Sequence, residues 1–190
     1  YISQKTQNTE NNFLILSAGK LLKLKSIDLA IKAFKIFNDK IPESEFIIVG
    51  DGPESMYLNN LVFSLNLKEK VKFEKWMPRE NLLYKMAICD LFIFPSLRDG
   101  GGAVVVEAMA TGKPVICFDI AGPGFHIKED YGIKINPKSP EQSIKDMAIA
   151  MEKLYYDKAL REKMGNAAKE RAKKFYLWDK LGDRLKNIYD

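Results

Sequence analysis

Asp99 and Glu107 stand eight positions apart, and Gly100, Gly101 and Gly102 follow directly after the first. Two carboxylates around a glycine run, within the small and apolar stretch SLRDGGGAVVVEAMATGKPVI (96–116), could read hydroxyl groups on either side of a bound anion. That chemistry requires the glycines to open a helix. At a helix start the unpaired amides and the positive dipole end attract phosphate, and the missing Cβ atoms allow close approach. Glu107 then falls about one and a half turns in, roughly 7 Å along the axis at 1.5 Å per residue. This is the scale of the step from a phosphate to the hydroxyls of its ribose, and Asp99 falls across the phosphate on the opposite side. The alternative from spacing alone is a loop acid with a partly buried helical Glu satisfied by backbone.

Two further loops carry candidate chemistry. GKLLKLKS (19–26) holds Lys20 and Lys25, two cations able to neutralise a diphosphate leaving group and so do without a metal what Mg²⁺ does elsewhere. The alternative is two solvated lysines. VGDGPES (49–55) imitates a dinucleotide fingerprint through Gly50, Gly52 and Ser55, with Glu74 about where such a fold places its ribose-binding acid. Against that reading, Ser55 replaces the close-packing glycine, Pro53 stiffens the loop, and the 96–116 segment is left without a purpose.

The elements that would position these loops alternate along the chain. Apolar, β-branched runs at 13–17, 45–50, 71–74, 91–95, 114–119 and 132–136 read as strands, separated by amphipathic helical patterns. In SIDLAIKAFKIFNDK, Ile27, Ala30, Ile31, Phe34 and Phe37 form one stripe, with Ser26 as N-cap. ESMYLNNLVFSLNL and RENLLYKMAICD repeat the pattern, and three helical stretches from residue 139 to the end complete it. Strands apolar on both faces need helices above and below, so the fold class is α/β, a doubly wound parallel sheet of about six strands with ligands at the strands' carboxyl ends. In the 96–116 segment AVVV alone reads as strand. EAMATG decides for helix, with Gly112 as a left-handed stop and Pro114 just beyond.

Composition limits the alternatives. The 190 residues are 46% hydrophobic and 29% charged, enough for one cored domain and too polar for a membrane protein. No apolar run approaches the roughly 20 residues that span a bilayer, and the polar start lacks a signal peptide's apolar stretch, so the chain reads as cytoplasmic. It begins without Met, which reads as a piece of a longer polypeptide. Cys89 and Cys117 fall in apolar stretches and read as reduced and buried. With His126 as the sole histidine, no metal site is expected. A net charge of +5 suits anionic ligands, and KERAKKFYLW near the C-terminus is the best candidate for contact with a membrane surface, its alternative being a solvated helix face. Nucleic acid is not an expected partner.

Taken together, these residues resemble the C-terminal, donor-binding half of retaining group 1 glycosyltransferases with the GT-B fold, from about residue 13 onward. In that family a Gly-Arg turn and a Lys-Gly pair follow the first strand, then a GDGP turn, then Pro-Ser before an acid, with seven residues between that acid and a Glu that leads into EAMA.G.PVI. The matching residues are Gly19-Lys20, Lys25-Ser26, Gly50 to Pro53, Pro95-Ser96, and Asp99 through Glu107 into Ala108 to Ile116. The resemblance implies a Rossmann-like domain over 1–190 that binds a nucleotide sugar, with UDP or GDP as the nucleotide and no cofactor. The acceptor domain would lie outside the chain, and the acceptor would be a glycan or a lipid-linked molecule. It implies diphosphate contacts from Lys20 and Lys25, and a sugar or reaction-centre contact from Asp99. Glu107 would hold the ribose, and the Gly101, Gly102, Ala103 and Val104 backbone the phosphate. The loop around Trp76 and Met77 would lie against the base. A nucleotide-sugar binding or epimerase-type relative without transferase activity would fit the same motifs.

Four positions depart from the family pattern. Lys20 replaces an Arg and loses its planar fork. Asp99 is one methylene shorter than the usual Glu, Ser26 replaces a Gly, and Phe125 stands where a Glu is often found. The last leaves His126, beside it, without an inherited role, and it reads as a satisfied surface histidine.

Overall fold

The computed structural model describes residues 12–176. Six parallel strands form one sheet: β1 (Phe13–Ala18), β2 (Ser44–Val49), β3 (Val71–Glu74), β4 (Leu91–Phe94), β5 (Val115–Phe118) and β6 (Gly132–Ile135). Each lies within a residue or so of its sequence expectation. Between and after them run α1 (Ile27–Lys40), α2 (Ser55–Ser64), α3 (Arg79–Ile88), α4 (Ala103–Ala110), α5 (Ala121–His126), α6 (Pro140–Tyr156) and α7 (Lys158–Phe175). Two elements were not legible in advance, α5 and a single 3-10 turn at Lys23–Lys25. The expected helix over 176–190 lies outside the described residues, save for Tyr176, which is a turn after α7.

The strand order is β3-β2-β1-β4-β5-β6. Alternation along β1 shows why helices cover both faces: Phe13 and Ile15 enter one core with α1 and α6, while Leu14 and Leu16 enter the other with α3, α4 and α7. On the first face Phe13, Phe34, Phe37, Phe46 and Tyr155 meet at ring-centroid distances of 5.2 to 6.3 Å. Emptying one such buried ring costs about 3 to 5 kcal/mol, so this cluster anchors α1 and α6 to the sheet.

The reversal of strand order lies between β1 and β4, whose pairing sets Ile15 opposite Leu91 and Leu16 opposite Phe92. A doubly wound sheet opens a crevice outside the carboxyl ends of the strands at this point. The chain therefore places GKLLKLKS, after β1, and RDGGG, after β4, on the crevice's two sides. VGDGPES follows β2, whereas a dinucleotide fingerprint follows the strand at the reversal itself, and Glu74 pairs with Lys85 at 2.8 Å. The dinucleotide reading falls on this topology.

Candidate functional site

Helix α4 begins where the glycines end. Gly102 adopts φ 56°, a left-handed conformation natural to glycine, and a Cβ there would sit 3.0 Å from the His126 ring. At the other end the amides of Gly112 and Lys113 donate to the carbonyls of Met109 and Ala108, with Gly112 at φ 79°. That pairing is a Schellman stop, as the sequence predicted. Ser26 behaves differently from its expectation. It precedes α1, but it is buried, left-handed at φ 49°, and its hydroxyl caps nothing. Its backbone occupies a conformation suited to the glycine it replaces.

At the crevice a cleft of about 480 Å³ is lined by Gly19, Lys20, Gly50, Asp51, Trp76, Met77, Leu82, Ala103, Val104 and Glu107, with Ala18 and Val49 at its floor. Eight residues chosen from sequence for five different reasons thus share one cavity. Lys20 forms no ion pair among the described residues. The Ala103 and Val104 amides, in the helix's first turn, have no protein acceptor among the described residues. Glu107 lies on the same wall, a turn further in, with Arg79 Nε 2.8 Å from its Oε1. One carboxylate oxygen thereby takes a cation while the other is left for a hydroxyl donor. Trp76, 80% exposed, forms the outer lip beside Met77.

Lys25, Asp99 and Gly100 to Gly102 stand beside this cleft rather than in its lining. Lys25 Nζ contacts Asp99 Oδ2 at 2.5 Å and lies 5.1 Å from the centroid of the Phe94 ring. The other oxygen, Asp99 Oδ1, accepts from the amides of Gly102 at 2.7 Å and Gly101 at 3.2 Å. Sequence spacing put Asp99 across an anion from these amides. In the structure its own carboxylate is the anion they hold. Partial burial pushes the Asp99 carboxyl up, but the Lys25 hydrogen bond and the two glycine amides outweigh it and hold it below the usual range.

Three residues were missed or unassigned. Arg79, the first residue of α3, was not singled out, although an Arg three positions past Trp76 on the cleft loop was a usable signal. Asp51 lines the cleft and turns the loop, accepting from Gly52 N at 2.7 Å and Ser55 Oγ at 2.9 Å. His126 is satisfied on both ring nitrogens, by Gly101 O at 2.8 Å and Tyr176 Oη at 2.7 Å. Cys89 and Cys117 are buried free thiols, each pushed up to about 12 by burial. No three His, Cys, Asp or Glu side chains converge as metal ligands among the described residues. None of the helices among the described residues is long and apolar enough to cross a membrane.

Residues 2–171 match the family described as glycosyl transferases group 1. The chain belongs to that family. An uncharacterized glycosyltransferase of Methanocaldococcus jannaschii is 31% identical over 179 residues, covering 93% of this chain and 44% of the relative. The alpha-D-kanosaminyltransferase of Streptomyces kanamyceticus is 30% identical over 179 residues, covering 93% and 45% respectively. This group 1 glycosyltransferase chain therefore spans under half the length of these curated relatives. Its fold matches a pneumococcal O-GlcNAc transferase crystallised with UDP and GlcNAc, with a TM-score of 0.84 at 22% identity over 94% of this chain and 36% of that one. An Anabaena protein, HepE, in complex with UDP and glucose superposes with a TM-score of 0.81 at 23% identity, over 94% and 48%. The six-stranded Rossmann-like sheet is that of a GT-B C-terminal domain.

Proposed function

We propose that the chain is the donor-binding half of an enzyme that transfers a sugar from a nucleoside diphosphate sugar to a glycan or lipid-linked acceptor, with retention at the anomeric carbon. The observation that carries this reading is the cleft at the strand reversal, where Lys20, the first turn of α4 and Glu107 share one wall system. The base would lie against Trp76, Met77 and Leu82, and the ribose hydroxyls at Glu107. The diphosphate would lie between Lys20 and the Ala103 and Val104 amides. Solved neighbours holding UDP support a nucleotide there, and either UDP or GDP suits these groups.

As the bond from the anomeric carbon to the diphosphate breaks, negative charge grows on the leaving oxygen. Interactions that strengthen with that charge lower the barrier. Lys20 and the α4 amides are placed to supply them, and Lys25 joins when a phosphate competes with Asp99 for its ammonium. Asp99, released from Lys25 and the glycine amides, is then free to accept from a donor-sugar hydroxyl. Transfer also needs an acceptor within about 3.5 Å of the anomeric carbon and exclusion of water. The second wall of the cleft would come from the acceptor domain.

Titration of the chain with UDP, GDP and NADH, followed by Trp fluorescence, tests the donor site; we expect a response to a nucleoside diphosphate and none to NADH. Incubation with nucleotide sugars and acceptors, beside the same assay on the full-length protein, tests the half-enzyme reading. Efficient transfer by the 190-residue chain alone would sink it, because positioning contributes about 7 to 11 kcal/mol that a lone donor domain forfeits.

A further inference from the structure

The peptide unit joining Gly101 to Gly102 is gripped on both sides. Its carbonyl, Gly101 O, is 2.8 Å from His126 Nε2, and its amide, Gly102 N, donates to Asp99 Oδ1 at 2.7 Å. In a trans peptide the C=O and the N–H point in opposite directions. A contact that fixes the carbonyl therefore aims the amide. A carbonyl can only accept, so Nε2 carries the proton, and in the neutral ring Nδ1 accepts from the Tyr176 hydroxyl at 2.7 Å. The two rings also meet edge to face, 5.1 Å apart at 83°.

On the Gly101 side, little else restrains this peptide. A Cβ on Gly100 or Gly101 would meet no other atom within 4 Å, whereas one on Gly102 would stand 3.0 Å from the His126 ring and 3.2 and 3.4 Å from the backbone of Pro123 and Gly122. The open side of the peptide is therefore that of Gly101, where the His126 contact rather than packing aims the carbonyl. On the outer side, the Gly122 amide donates to Asp99 O at 3.0 Å, which holds the start of the loop to α5 but not its middle.

We infer that His126 is a positioning residue, which locks the Gly101–Gly102 peptide with its N–H directed to Asp99 Oδ1 beside the donor cleft, and so sets the place of the Asp99 carboxylate, and that Tyr176 at the end of α7 holds the ring in place. The link between this lock and donor affinity rests on the donor-binding reading above; the lock itself does not. His126 touches neither donor nor acceptor in this account. It acts through the backbone, and it couples the last turn of α7 to the loop that bears Asp99.

The test uses the 190-residue chain and four variants: His126→Leu, His126→Gln, Tyr176→Phe, and His126→Leu combined with Tyr176→Phe. The Gln amide keeps a donor near the position of Nε2, while Leu keeps bulk without one. Amide hydrogen exchange at Gly102, read by NMR without nucleotide, should accelerate about tenfold in His126→Leu, the loss of roughly one hydrogen bond. His126→Gln should restore most of the protection. Tyr176→Phe should accelerate exchange in the native background and add nothing in His126→Leu. UDP and GDP affinity should follow the same order, with uridine and guanosine unaffected. Unchanged exchange at Gly102 in His126→Leu, or equal behaviour of Leu and Gln, overturns the lock. Absence of UDP and GDP binding by the unsubstituted chain overturns the donor reading instead, and the exchange measurements still decide the lock.

Discussion

Two glycine-rich loops lie at the same edge of the sheet and use glycine for opposite reasons. In VGDGP a Cβ on Gly50 would stand 1.9 Å from the Gly19 carbonyl oxygen, and one on Gly52 would stand 2.3 Å from that of Leu21. These glycines let the loop after β2 press against the loop after β1, where Leu21 N also donates to Asp51 O at 2.9 Å. In DGGG, Gly100 and Gly101 meet nothing within 4 Å. One loop is glycine because the protein itself needs the room. The other leaves room that the protein does not fill. A glycine demanded by packing speaks about the fold, whereas glycine in open space is not explained by packing.

The sharpest break of this comparison is Gly50→Ala. A backbone clash combined with φ 147° should cost about 3 kcal/mol or more, read as the shift in a urea unfolding midpoint. A loss below about 1 kcal/mol would mean the two loops are not locked together.

Next in size are the cations. Lys20→Ala should weaken UDP or GDP by about 2 kcal/mol while leaving uridine or guanosine nearly unchanged, and added salt should shrink the difference. Lys25→Ala should do less to binding, because Lys25 already neutralises Asp99. Equal losses for nucleoside and nucleoside diphosphate would make the lysines structural.

Glu107→Gln should weaken nucleotide binding by about 1 to 3 kcal/mol with the fold intact. The same loss for 2′,3′-dideoxyribose nucleotides would count against a ribose role. Arg79→Ala, which removes an exposed partner of Glu107, should change stability by less than about 1 kcal/mol.

Asp99 is held below its usual range in the folded chain, so the stability it contributes is present above the unfolded value, about 4, and is lost as pH falls through the folded one. Melts of the native chain and Asp99→Asn should differ at neutral pH and converge in acid. A gap that persists in acid would assign the difference to something other than this carboxylate.

The smallest effect belongs to the open loop. Gly101→Ala should move stability by less than about 0.5 kcal/mol, since the added methyl meets no protein atom. A large loss would erase the contrast between the loops.

The six strands and the helix at Ala103–Ala110 were legible because apolar alternation, Gly112 and Pro114 are local signals, felt within a few residues. Lys20, Glu107, Ala103 and Val104, marked from sequence as candidates, all line the cleft. The 3-10 turn at Lys23–Lys25 and the short α5 were not legible, since neither is long enough to show a period.

What the sequence determined by itself is therefore the alternation of strands and helices, the glycine-opened helix and the family those motifs announce. Partners were another matter. Asp99 sits 74 residues from Lys25 in the chain, and His126 sits 50 from Tyr176. Glu107 was read as a ribose ligand without its arginine, and Asp99 as a group facing an anion rather than the anion held by Gly101 and Gly102. Secondary structure follows from interactions among near neighbours, which a one-dimensional pattern records. Which charge meets which carboxylate follows from strand order, and that order is settled when two helical layers close over one sheet and bring distant loops to the same edge.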